Sequence, residues 1–146
     1  MGLEYMKSWN IKSGYVLAMT GALFSLLFRT VFSMLGLEGY QEVERQLLAD
    51  KGMSMLVLEL VILSPILEEV VFRGFLYRYL RRRLPLSGAM LISAAAFGIY
   101  HWNLTQGIYA FAMGMLLAWS LEHYQTMKAP VVVHMAANLA ALGIGM

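Results

Sequence analysis

The stretch "LSPILEEVVFRGFLYRYLRRR", residues 63–83, decides the fold. Together with the apolar residues from Met53 onward it has the length and hydrophobicity of a membrane-spanning helix, yet it carries Glu68, Glu69 and Arg73 well inside the span. An ionisable side chain at the centre of a bilayer costs several kcal/mol, so one that persists faces the interior of a helix bundle and has a partner there. Pro65 removes a helical hydrogen bond one turn before the glutamates, which a membrane tolerates where the freed backbone faces protein or a water-filled cavity. Arg81, Arg82 and Arg83 then end the span at an interface. The sequence around these charges has to supply the rest of the bundle.

It does so by composition. Of 146 residues, 60% are hydrophobic and 14% charged, and the mean hydropathy is +0.63, whereas soluble domains carry about a quarter charged residues. The chain has no cysteine, so disulfides, thiolate metal sites and cysteine nucleophiles are excluded together. The net charge is +2, but in a membrane chain the placement of lysine and arginine says more than their sum, and nothing in the sequence looks like a nucleic-acid patch.

Outward from residues 63–83, four further apolar segments are long enough to cross or nearly cross a hydrocarbon core, each needing about 20 residues. These are "YVLAMTGALFSLLFRTVFSMLG", "LPLSGAMLISAAAFGIYHW", "GIYAFAMGMLLAWSLEHY" and "APVVVHMAANLAALGIGM". The expected fold is all-α, a polytopic transmembrane bundle of about five membrane helices. Residues 1–52 hold the first helix and an acidic connection, "LEGYQEVERQLLADKG", expected to form a short surface helix. Residues 53–146 form the bundle that carries the polar groups. "NLTQG" reads as a turn between the third and fourth helices. The runs "SAAAFG", "AFAMG" and "MAANLAALG" permit the close helix contacts that association in lipid requires. Alternating the helices from a cytoplasmic N-terminus leaves Lys7, Lys12, Arg78, Arg81, Arg82, Arg83 and Lys128 inside and only Arg45 and Lys51 outside, so the expected protein is integral to the plasma (inner) membrane with its N-terminus in the cytoplasm.

Arg29 and Glu59 fall at similar depth and are expected to pair structurally. Glu69 and Arg73 are four residues apart on one helix face, acid first, which is the favourable order; Glu68 is turned about 100° away and is free to point elsewhere. His134 and Asn138 are likewise four apart on one face, and His101 ends "FGIYH". No serine stands in a G-x-S-G setting, and neither G-x-G-D nor H-E-x-x-H occurs. Three readings remain open: hydrolysis by a glutamate-activated water, a metal-dependent hydrolase built on Glu68, Glu69, His101 and His134, and a non-catalytic scaffold or immunity protein whose polar groups bind helices together and hold a partner peptide. Upright helices set His101 about 8 Å or more in depth from Glu68 and His134, an offset that tilt or a displaced third helix would have to close.

In order and spacing, "EEVVFR", "FGIYH" and "HMAAN" resemble the three motifs of the CAAX protease and bacteriocin-processing family, also called CPBP or Abi proteases, over about residues 53–142. The resemblance implies an intramembrane endopeptidase without metal or other cofactor. In that family scheme Glu68 is the general base assisted by His101, Glu69 and Arg73 support the site, and His134 and Asn138 form the oxyanion hole. The implied partners are the lipid bilayer and a peptide or protein substrate, either a prenylated CAAX-like tail or a small leader or signal peptide, cut near the cytoplasmic surface.

Overall fold

The computed structural model describes residues 8–37 and 52–144; the acidic connection and its expected surface helix lie outside the described residues. Five helices form an all-α membrane bundle, with no strand among the described residues. They are α1 (Ile11–Met34), α2 (residues 53–81), α3 (Leu86–Tyr100), α4 (Leu104–Tyr124) and α5 (Lys128–Ile144).

Asn10 caps α1, its side chain accepting from the Ser13 N–H at 2.9 Å. Only one stripe of α1 is buried, namely Ser13, Leu17, Gly21 and Ser25, spaced by four so that small groups meet α5. The rest of α1 exposes Tyr15, Val16, Met19, Leu23 and Leu27, a surface suited to lipid rather than water. At Gly21 the approach is so close that a β-carbon would overlap the Val133 carbonyl of α5. Between α3 and α4, a β-carbon on Gly98 would lie 2.7 Å from the Gly107 carbonyl oxygen and one on Gly114 3.0 Å from Ala94 Cα. The small-residue runs are therefore the contact faces, as their composition implies.

Through Pro65, α2 bends its hydrogen-bond register without breaking. Val57–Leu63 and Val70–Tyr77 are wound in wide π turns on either side of the α-helical Ser64–Glu69, and the Ser64 N–H reaches back five residues to the Glu59 carbonyl. In that register the residue after Ser64 would donate to the Leu60 carbonyl. Proline has no N–H to give, and Leu60 receives Nδ2 of Asn138 on α5 instead, at 2.8 Å.

The turn between α3 and α4 is tighter than "NLTQG" suggests. Trp102 adopts a left-handed conformation (φ 53°), Asn103 caps α4 by accepting from the Gln106 N–H at 3.0 Å, and Leu104–Gly107 already belongs to the helix. Most of the segment expected as a turn is thus the capped first turn of α4. With 15 residues, α3 is about 22 Å long, short of a hydrocarbon core of about 30 Å. Of the five, α1 and α4 are long and apolar enough to cross a membrane unaided. The core between the helices holds Leu17, Phe72, Phe97, Met113, Leu117 and Val133.

Candidate active site

Adjacent positions on α2 send Glu68 and Glu69 to different surroundings. Glu69 is fully buried, and its Oε1 accepts from Arg73 Nη1 at 3.1 Å and from His134 Nδ1 at 2.8 Å. Arg73, also fully buried, donates through Nη2 to the Gly114 carbonyl at 3.2 Å and lies 4.4 Å from the centroid of the Phe97 ring. Gly114 makes room for it, since a β-carbon there would stand 3.2 Å from Nη2. Glu69 Oε2 and Arg73 Nε are buried without a hydrogen-bond partner among the described residues, so this ion pair is incompletely compensated and is weak ground for stability alone.

Glu68 instead borders a cavity of about 190 Å³ shared with His101, His134 and Asn138. Its Oε2 stands 3.7 Å from His134 Nε2, so one imidazole faces both carboxylates. A carboxylate oxygen accepts, which makes His134 Nδ1 a donor to Glu69 and aims Nε2 into the cavity. By the same logic His101 Nδ1 donates to the Phe97 carbonyl at 2.8 Å, leaving its Nε2 lone pair for the cavity. Phe97 holds both rings edge-on, with centroids 4.9 Å from His101 and 5.7 Å from His134.

All six residues singled out in the sequence thus meet: Glu68, His101, His134 and Asn138 on the cavity, Glu69 and Arg73 behind it. The offset in depth foreseen for His101 does not separate it from the others. Since α3 is short and closes in a three-residue turn, His101 borders the same space as Glu68 and His134. Arg29 donates to the Ala141 carbonyl at 3.1 Å.

Of the side chains with polar groups that border the cavity, Ser64, Tyr100, Gln106 and Tyr109 are not among those singled out in the sequence. Ser64 is one turn before Glu68 on the same face, a signal present in the sequence. Gln106 was hidden by reading "NLTQG" as a loop, although Asn103 followed three residues later by glutamine has the spacing of a capping box. Among the described residues no three histidine, aspartate or glutamate side chains form a group that could hold a metal ion.

Residues 51–140 match the protein family described as type II CAAX prenyl endopeptidase Rce1-like. A Bacillus subtilis (strain 168) protein named "Putative membrane peptidase YdiL" is 28% identical over 88 residues, which is 60% of this chain and 36% of that protein. The match therefore spans just over a third of the relative's length. No solved structure matches the chain.

Proposed function

Because the chain belongs to the Rce1-like family of type II CAAX prenyl endopeptidases, we propose that it is an intramembrane endopeptidase in which Glu68 and His101 activate water. The observation that carries this reading is His134, whose ring is fixed by Glu69 at Nδ1 and faces Glu68 at Nε2 within one cavity.

In the proposed reaction Glu68 takes a proton from a water molecule, with the His101 Nε2 lone pair as a second acceptor, while the water oxygen bonds to the scissile carbonyl carbon. The carbonyl π electrons move onto oxygen. His134 Nε2–H and the second Nδ2 hydrogen of Asn138 bond that oxyanion; since Nδ1–H is given to Glu69, His134 acts in its doubly protonated form. Collapse of the intermediate breaks the C–N bond, and the proton held by Glu68 passes to the leaving amine. Oxyanion donors of this kind contribute about 10²- to 10³-fold each. Glu69 and Arg73 act as positioning residues.

The family and the lipid-facing bundle support a peptide substrate presented at the membrane: a prenylated CAAX-like tail or a small leader or signal peptide, cut near the cytoplasmic face. Lys12, Arg78, Arg81, Arg82, Arg83 and Lys128 lie at one end of the alternating helices, which supports a cytoplasmic N-terminus in the plasma (inner) membrane.

The test is cleavage by the full chain in proteoliposomes, followed by mass spectrometry on a panel of prenylated C-terminal and leader-type peptides. Glu68→Gln is expected to lower turnover by about 10²- to 10⁴-fold, the range of a lost general base, with helix content unchanged. Equal turnover in wild type and Glu68→Gln sinks the reading. Turnover abolished by a chelator and restored by a divalent cation would replace it with the metal-dependent one.

A further inference from the structure

At the C-terminal end of α2, away from the cavity, Arg78, Arg81 and Arg82 face Glu122 of α4 and Gln125 just beyond its end across a second pocket, of about 370 Å³, with Tyr77 in its wall. Both oxygens of Glu122 are occupied: Oε2 accepts from Tyr77 at 2.9 Å and Oε1 from Arg81 Nε at 3.1 Å. Arg78 and Arg82, one turn apart and both exposed, have no bonded partner among the described residues. Arg83 differs, since it lies 3.9 Å from the centroid of the Tyr79 ring and bonds the Tyr79 carbonyl. The pocket therefore presents three guanidinium groups against one carboxylate that is already engaged.

We propose that this pocket binds the phosphate of an anionic phospholipid, clamped between Arg78 and Arg82. Guanidinium forks match phosphate oxygens in pairs. A lipid is favoured over free phosphate because the neighbouring face of α2 exposes Phe75 (71%), three residues before Arg78, and Val71 (53%) a turn before that, so acyl chains have an apolar track beside the clamp that Arg83 does not touch. This inference does not rest on the proposed proteolysis. It also differs from the general attraction of basic residues to one membrane face, which depends on charge count and would treat Arg83 like its neighbours.

The experiment is native mass spectrometry of the full chain released from detergent micelles containing phosphatidylglycerol or phosphatidylcholine, with inorganic phosphate as competitor. Wild type is expected to retain phosphatidylglycerol preferentially. Arg78→Gln and Arg82→Gln should each weaken that retention about fivefold, and the double variant about 25-fold, whereas Arg83→Gln should leave it unchanged. Equal retention of the two lipids by wild type overturns the proposal whether or not any variant folds. An Arg83→Gln loss as large as that of Arg82→Gln overturns it too, as does full displacement of the lipid by millimolar inorganic phosphate.

Discussion

Glu68 and Glu69 are neighbours in the chain, and the difference between them lies in what they touch. Glu69 shares Oε1 between Arg73 and His134, so Glu69→Gln leaves a fully buried guanidinium facing a neutral amide. Removing one member of a buried pair costs about 3–5 kcal/mol, and the expected outcome is a large drop in thermal unfolding temperature with a smaller loss of turnover than Glu68→Gln. The reverse ranking in a melting and turnover comparison would exchange the two roles. The relation of Glu69 to Arg73 was legible because four residues along a helix fix a shared face. The third member, His134, was not, because no local rule connects residues 65 positions apart. Only the resemblance of the motifs set it beside the glutamates, and it did not foretell that one ring would contact both.

At the scale of elements, the expected break at Pro65 turns out to be a transfer of one hydrogen bond from α2 to α5. A π-wound turn leaves the Leu60 carbonyl without the donor that residue 65 would have provided, and Asn138 takes it. Asn138→Ala orphans that acceptor and is expected to cost about 1–3 kcal/mol. Pro65→Ala restores an N–H to the backbone, so the double variant Pro65→Ala/Asn138→Ala should recover part of the loss in chemical unfolding. Strict additivity of the two changes would show that the carbonyl is not what couples them. Helix existence was readable from apolar length throughout, and the boundary error fell at "NLTQG", where a cap residue and a loop residue are the same amino acid. Winding could not be read at all, since α and π turns place apolar residues almost alike over a single span.

For the molecule as a whole, the question is what α1 contributes, since the family match begins at residue 51 and α1 ends at Met34. Its buried stripe runs along α5, and Gly21 presses on the carbonyl of Val133, the residue before His134. Pressure at that carbonyl therefore bears on the helix turn that aims the imidazole, although α1 supplies no side chain to the cavity. Gly21→Ala puts a methyl into backbone that has no flexible end to move, and overpacking of this kind costs about 1–3 kcal/mol. Gly14→Ala on the same helix meets only the Trp9 ring at 3.5 Å, an ordinary contact, and is the matched control. Gly21→Ala is expected to lower both the unfolding temperature and the turnover of the remaining folded protein, with Gly14→Ala close to wild type in both. Turnover per folded molecule unchanged in Gly21→Ala would mean that α1 stabilises the bundle without setting the position of His134. The same test separates two histories for the glycine: a packing site shared by any two helices in lipid, or a support placed behind one imidazole.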